Sequence, residues 1–374
     1  MSCHVQQEDL SRALNTLQGF IAKKTPLLIL TYFLVKIADD WMEISGTDLE
    51  VSVSIKVPAD VKTPMSFSVP GKMFVDIMRQ LPSGVVVLDL LDQARLEIKT
   101  DAIEYRINVM SALEFPTISG LDLVADRNVS TSVLSEMIGR VINAASHDES
   151  KFHLSGVCID PLPEGRVIMV ATDGHRFGMC TRTLSDLLLD SRLVVPRRSL
   201  AELKKVFDES DQANFEVGFG KGYVMFKNEI SKFAIRLMNV EYPDYRNAFP
   251  RQPGIRIKVS VQELSDALRR MSLVLASPRQ PLRVDVGKNS MRICSKSIEL
   301  GESKEVVAVE GTDKPITVGF CARLLLDTVG SLLYANEIFI EIPEGRDPTK
   351  FFPVDDEDSL AMLMPTRIEQ QDEL

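Results

Sequence analysis

Hydrophobic positions recur along this chain in three similar stripes. Leu10, Leu14, Leu17 and Ile21 form the first, Leu134, Ile138, Val141 and Ala145 the second, and Leu264, Leu268, Met271 and Leu275 the third. Each follows i, i+4, i+7, i+11, one face of a 3.6-residue helix. The starts lie roughly 125 residues apart, too far for a solenoid unit and about the length of a domain. A second helix pattern repeats beside the first. Val69-Pro70 opens a run with Phe74, Ile77, Met78 and Leu81 apolar, and Val195-Pro196 opens one with Leu200, Leu203 and Phe207. Proline is expected there at the first helical position, where its missing N–H would have had no partner. Val318-Gly319 opens the third copy, with Leu325, Val329 and Leu332, and lacks the proline.

Between the helices the period is two. Val35, Ile37, an Asp39-Asp40 turn, then Met42 and Ile44 read as a hairpin. Val217 and Phe219 with Val224 and Phe226 across Lys221-Gly222 read as a second. Val284 and Val286 with Met291 and Ile293 across Gly287-Lys288-Asn289 read as a third. The fold class expected is α+β: three tandem copies of one domain, each with two helices and about eight short antiparallel strands. Boundaries are placed at 1–125, 126–253 and 254–374. Phe115-Pro116 and Tyr242-Pro243-Asp244-Tyr245 echo one another just before the two breaks. Ser260-Val-Gln-Glu263 reads as a capping box opening the third unit.

The 374 residues, 45% hydrophobic and 26% charged, suit a folded chain of two or three domains. The longest apolar stretch, Leu27 to Val35, falls far short of the roughly 20 residues that span a bilayer. Five scattered cysteines form no Cys-x-x-Cys, and the four histidines form no metal-type pair. With no signal-peptide pattern at the N-terminus, the expectation is a cytoplasmic protein without cofactor, metal or membrane partner. Net charge is −10, which taken alone argues against a polyanionic partner. The acid is uneven, however: net −5 over 1–125, zero over 126–253 and −5 over 254–374. Basic residues gather on or beside the repeated helices, at Arg12, Lys23, Lys24, Lys72, Arg79, Arg140, Arg197, Arg198, Lys204, Lys205, Arg269 and Arg270. Lys and Arg solvate the outer face of any amphipathic helix. Equivalent placement on successive copies favours a shared basic surface.

The run Val170-Ala-Thr-Asp-Gly-His-Arg-Phe177 resembles the signature of the bacterial DNA polymerase III beta subunit family, the sliding clamps. Gly46-Thr-Asp-Leu-Glu50, Val69-Pro70, Val195-Pro-Arg197, Tyr242-Pro-Asp-Tyr-Arg246 and Met364-Pro-Thr-Arg-Ile368 agree in order and spacing, so the resemblance covers the whole chain. It implies the DNA-clamp fold, in which two chains close head to tail into a six-domain ring around duplex DNA. The homodimer would tether the replicative polymerase alpha subunit. It would also bind the clamp loader, other polymerases and repair proteins through short peptides. A negative ring can hold DNA because charge is read within a Debye length of roughly 8–10 Å. Sliding needs only phosphate contact, blind to sequence.

By the matching motifs, the resemblance implies a peptide pocket between the second and third domains. Its residues are Leu154, Thr172, Gly174, His175, Arg176, Phe177, Pro243, Asn247, Ala248, Met362, Leu363, Met364, Pro365, Thr366 and Arg367. Leu, Phe and Met would line an apolar slot, and Arg176 would fix the peptide's polar end. Phe177 stands where Leu is usual, Asn247 where some relatives carry Arg, and Thr366 where Met is usual. Glu369 to Leu374 extend past the usual end. DNA contacts are carried over to Lys23 and Lys24 and to Lys151, Phe152 and His153, beside the helix cations Arg79, Arg140, Arg197, Arg198, Lys204, Arg269 and Arg270. The ring seam is expected at Lys72, Tyr105 and Ile107 of one chain against Val274 and Leu275 of the other. Two other classes compete: a scaffold that binds only proteins, and a metal or acid–base hydrolase built on Asp173 and His175. No second carboxylate at fixed spacing, nucleophile elbow or phosphate-cradling loop supports the hydrolase.

Overall fold

The computed structural model describes residues 2–22, 25–92, 94–187, 189–250, 252–297 and 300–368. Among them are six α-helices: α1 (Gln7–Gln18), α2 (Gly71–Gln80), α3 (Thr131–Val141), α4 (Arg197–Glu209), α5 (Val261–Ser272) and α6 (Ala322–Gly330). Two fall in each third. The first three positions of every stripe are buried in their helix, as at Leu10, Leu14 and Leu17. The fourth position, Ile21, Ala145 or Leu275, lies past the helix end, so each helix is one turn shorter than its stripe. The prolines also sit differently from the expectation. Pro70 and Pro196 end the strands Met65–Pro70 and Leu193–Pro196, and helix starts at the next residue. Fixed φ and no N–H suit a strand end as well as a helix start. In α5 the Ser260 hydroxyl accepts the Glu263 N–H at 3.4 Å, the first half of the expected box.

The chain divides into two compact units, Met1–Ser132 with Arg198–Leu237, and Val133–Arg197 with Met238–Leu374. The division cuts through the middle third, and strand pairing explains it. In the first unit Ser231–Arg236, from the middle third, pairs antiparallel with Val51–Val61 of the first third, Ile55 opposite Ser231. In the second unit Arg176–Thr183 pairs antiparallel with Ser359–Leu363 of the last third, Cys180 opposite Ser359. The same strand position therefore joins neighbouring thirds twice. Each unit carries one sheet, of 13 and 12 strands. At its end the first sheet has Glu104–Asn108, paired on one side with Arg95–Lys99.

All three expected hairpins form. Lys221 and Gly222 both take positive φ, 52° and 78°, the geometry that lets a two-residue turn follow strand twist. The first unit's core includes Phe207, with ring centroids 5.0 Å from Phe215 and 5.8 Å from Phe226. Such pairs each contribute about 0.5–1.5 kcal/mol beyond their buried area.

Candidate peptide pocket and cationic surface

The signature Thr172-Asp-Gly-His175 is a strand turn. Arg166–Thr172 runs out, Gly174 takes φ +90°, and Arg176–Thr183 runs back. Side chains close it. Thr172 Oγ1 donates to the Arg176 carbonyl at 2.7 Å, and Asp173 Oδ1 accepts the N–H groups of His175 and Arg176 at 2.9 and 3.0 Å. Asp173 Oδ2 takes the Arg176 Nε at 3.0 Å. With both oxygens of Asp173 engaged in the turn, no lone carboxylate is left for general-base work with His175. The hydrolase reading therefore loses its base. Lys151 Nζ donates to the Asp173 carbonyl at 3.0 Å and belongs to this hairpin, not to an open cationic surface.

The C-terminal segment docks on the same hairpin. Leu363 lies opposite Arg176 and Met362 opposite Phe177, and the Met364 N–H donates to the His175 carbonyl at 2.8 Å. The Thr366 N–H then bonds the Gly319 carbonyl at 2.8 Å. The pocket motifs thus converge in three dimensions, though their side chains divide. Phe177, Leu154, Met362 and Leu363 are buried, Phe177 edge-on to Phe249 at 5.8 Å between centroids. Met364 is 39% exposed, and Gly174, His175, Pro243, Asn247, Ala248, Thr366 and Arg367 are exposed around it, with Pro365 half-buried. Arg176 departs from its expected role. It is buried, with Nη1 2.7 Å from Asp327 Oδ2 besides its bond to Asp173. It pins the hairpin to α6.

His147 lies near the same cluster. Its pKa is lowered from the ordinary 6.5 by burial and then by Arg197, Arg176 and Arg323, against an opposing pull from Asp327. Burial, and then Arg176, also lower the pKa of Arg197. Arg197, His147 and Arg323 are basic groups beside the pocket, and the last was not singled out in the sequence. Arg323 has Asp327 at 4.0 Å, one helical turn away.

The other cations sort into engaged and open. Arg140 is the clearest correction to the DNA-contact set. Its side chain is 10% exposed, bonds Asp356 Oδ2 at 2.5 Å and Ser359 Oγ at 2.6 Å, and stacks over the Tyr334 ring at 3.8 Å. A guanidinium so enclosed cannot reach a phosphate. Lys204 pairs with Asp208 at 2.6 Å, Arg269 stands 3.8 Å from Asp266, and Arg270 forks onto Glu305 at 2.8 and 3.1 Å. Arg79 bonds Asn15 of α1 at 2.8 Å. Arg198, Phe152 and His153 are exposed. Lys23 and Lys24 lie outside the described residues, as does the Glu369–Leu374 tail.

At the expected seam, Tyr105 is 37% exposed and Lys72 reaches solvent from α2, paired with Asp76. Ile107, on the same strand face as Tyr105, is buried opposite Leu96. Leu275 packs against the third core, with Val274 half-buried. Leu273, a residue not named from the sequence, is 82% exposed at the end of α5. It lies off the apolar stripe, and an off-stripe leucine was the available signal.

Repeated domains joined strand to strand, with the C-terminal segment docked on a strand hairpin at one junction, define a clamp-type architecture. Sequence models of the DNA polymerase III beta subunit match almost the whole length: its N-terminal domain at residues 1–119, its central domain at 128–244 and its C-terminal domain at 246–367. The chain belongs to the DNA polymerase III beta subunit family, the sliding clamps of DNA replication. It is 24% identical to the beta sliding clamp of Vibrio cholerae, over 98% of this chain and 100% of that one. To that of Escherichia coli it is 23% identical, with the same coverage. The solved DNA polymerase III beta subunit of Thermotoga maritima superposes with a TM-score of 0.89 at 26% identity, over 98% of this chain and 100% of that one. The Bartonella birtlesii clamp bound to griselimycin superposes at 0.91 and 21% identity, over 98% and 100%. Clamps are processivity factors, not catalysts, so the chain is not an enzyme. No helix among the described residues is long and apolar enough to cross a membrane.

Proposed function

We propose that two copies of this chain close head to tail into a ring around duplex DNA and tether the replicative polymerase, with domains at 1–125, 126–253 and 254–374. One observation carries the reading. The chain uses the same strand pair at two internal junctions, Ser231–Arg236 on Val51–Val61 and Ser359–Leu363 on Arg176–Thr183. It leaves the two halves of a third pair apart. Glu104–Asn108 ends one sheet, and the first residues of Gly301–Glu310 pair only with Ser290–Ser297 among the described residues. Exposed strand edges of this kind invite pairing in trans. Joining them twice, by symmetry, closes six domains into a ring.

The exposed cations Arg198 and Arg269, with Arg79, Arg197, Lys204, Arg270, Phe152, His153 and the two lysines Lys23 and Lys24, are the DNA-facing set we infer. The hairpin at Thr172–Phe177 and the segment 362–367 hold partner peptides from the polymerase alpha subunit, the clamp loader and repair proteins. The Bartonella relative bound to griselimycin supports ligand binding in this family. Encirclement is tested on closed circular DNA. The protein should sediment at twice the 41.7 kDa chain mass and stay on a circle at salt that removes it from a linear fragment. A monomer at micromolar concentration, or equal retention on both DNAs, rejects the ring.

A further inference from the structure

The peptide pocket has a cationic side that its apolar residues do not explain. Arg197 opens α4, and its backbone N–H donates to the Ser155 carbonyl at 3.0 Å. The Ser146 N–H, next to His147, donates to the Leu154 carbonyl at 2.9 Å. Both basic residues are thus anchored at the short turn that carries Leu154, one of the pocket residues. Arg323 comes from the first turn of α6, where its backbone N–H donates to the Pro278 carbonyl at 3.1 Å. One helical turn further on, Asp327 ties α6 to Arg176 of the hairpin at 2.7 Å. Elements far apart in sequence therefore bring these groups within reach of one another's charge. Burial first, and then Arg197, Arg176 and Arg323, lower the pKa of His147, and burial and then Arg176 lower that of Arg197.

The acids of this cluster are already engaged. Asp173 holds the hairpin turn and the Arg176 Nε. Asp327 Oδ2 lies 2.7 Å from Arg176 Nη1 but 4.0 Å from Arg323 Nε. Asp148, beside His147, accepts the Ser150 N–H at 2.9 Å and is offset by Lys151. The side chains of Arg197 and His147 have no hydrogen-bond or ion-pair partner among the described residues. Three arginines, Arg176, Arg197 and Arg323, thus stand against two carboxylates, Asp173 and Asp327, and protonation of His147 adds a further positive charge. In a chain of net charge −10, this excess runs against the trend. Arg197 is half-buried, so its guanidinium has lost part of its water with no anion in exchange. A carboxylate from outside supplies that anion through charge-assisted hydrogen bonds.

We propose that this cluster, with Arg323 as its exposed member, binds a carboxylate of the partner peptide while the peptide's apolar side chains lie against Met364 and the hairpin. The inference rests on the peptide-pocket reading above and adds to it the charge of the ligand. The role expected of Arg176 passes to Arg323. A carboxylate on a side chain and one at the chain end both present two oxygens to a guanidinium fork. His147 faces Arg197 from α4, Arg176 from the hairpin, and Arg323 and Asp327 from α6. As pH falls through its folded pKa it becomes a further cation, so carboxylate binding tightens there. By the same linkage, a bound carboxylate raises the His147 midpoint.

The test uses the full chain and three peptides carrying the same uncharged N-terminal fluorophore. They are Gln-Leu-Asp-Leu-Phe-amide, the neutral Gln-Leu-Asn-Leu-Phe-amide, and Gln-Leu-Asn-Leu-Phe with a free chain end. The Asp peptide or the free-ended one should bind about fivefold or more tighter than the neutral peptide, and whichever does so identifies the source of the carboxylate. In Arg323→Ala that gap should fall below about twofold while the neutral peptide keeps its Kd, the mark of a direct pair in a double-mutant cycle. Arg323→Glu should reverse the preference. Arg323 is exposed, so neither replacement opens the core, and Arg197 is left unchanged because it also stands in the DNA-facing set. The imidazole midpoint of His147 should rise when the preferred peptide is added. Equal Kd for all three peptides on the unaltered chain overturns the proposal and leaves the pocket reading standing. Equal weakening of all three in Arg323→Ala also overturns it, since Arg323 would then support the pocket without reading charge. If none of the three binds, the pocket reading falls and this proposal with it.

Discussion

Arg140 and Arg198 are indistinguishable in sequence, each a base on a repeated helix, and burial separates them. Arg140 is enclosed by Glu136, Asp356, Ser359 and Tyr334, and Arg198 meets solvent. Its partners at 356 and 359 come from more than two hundred residues away, so no local pattern could announce them. Arg140→Ala should lower stability by about 3 kcal/mol, the usual cost of breaking a buried charge pair, read by urea unfolding. It should leave retention on circular DNA intact below its melting point. Arg198→Glu should slow loading onto DNA while leaving stability unchanged. If Arg140→Ala weakened DNA retention with stability unchanged, its enclosure would be the wrong account. His147 offers a pH reading of the neighbouring cluster. Burial first, then Arg197, Arg176 and Arg323, hold its pKa below 6.5, so the folded state favours the neutral ring. This stability is present above the unfolded pKa and is lost as pH falls from there through the folded value. Imidazole resonances should titrate below 6.5, and Arg323→Ala should move the midpoint upward. A midpoint at or above 6.5 would mean that these cations do not converge on the ring.

At the scale of elements, periodicity was the legible part. Stripes of period 3.6 marked helices, and alternation marked all three hairpins named from sequence, because each reflects burial of one face. Helix ends were less legible, since apolar residues continue past them into the core: Ile21 and Leu275 are packed although α1 and α5 have stopped. The same ambiguity bears on the expected seam residues. Leu275 continues the stripe and packs inward, whereas Leu273 breaks the stripe and is exposed. A single exposed leucine is ordinary on any surface. Beside an open strand edge it becomes a candidate contact. Leu273→Glu should therefore shift sedimentation toward the monomer while leaving the chain's melting nearly unchanged. Leu275→Ala should do the opposite, costing about 2 kcal/mol of stability as a partly buried large-to-small change. Identical effects of the two variants on assembly would remove Leu273 from the seam.

For the whole molecule, the pocket motifs were readable only through family resemblance. Thr172 to Arg176 alone describes a turn, and a turn is what the hairpin is. What resemblance adds is the convergence of this turn with Met362, Leu363 and Met364, residues nearly two hundred positions later. The structure then changes the roles. Phe177, Met362 and Leu363 are core groups whose burial builds the hairpin, while Met364 presents apolar surface beside it. Met364→Ala should accordingly weaken a short clamp-binding peptide, one with a leading Gln and trailing Leu and Phe, by about tenfold. That matches the loss of roughly 1.5 kcal/mol of apolar contact. Retention on circular DNA should survive, because the proposed encirclement and peptide capture would use different surfaces. The acidic extension supplies the sharper test. Glu369, Asp372 and Glu373 follow the pocket segment directly, and peptides bearing carboxylates would be repelled by them in a salt-dependent way. Removing Glu369–Leu374 should leave affinity equal or improved, with the difference fading at high salt. Removing Met364–Leu374 should abolish binding, since it strips the strand that bonds His175 and Gly319. If the shorter truncation alone abolished binding, the pocket would extend past Ile368, and the tail would be one of its walls.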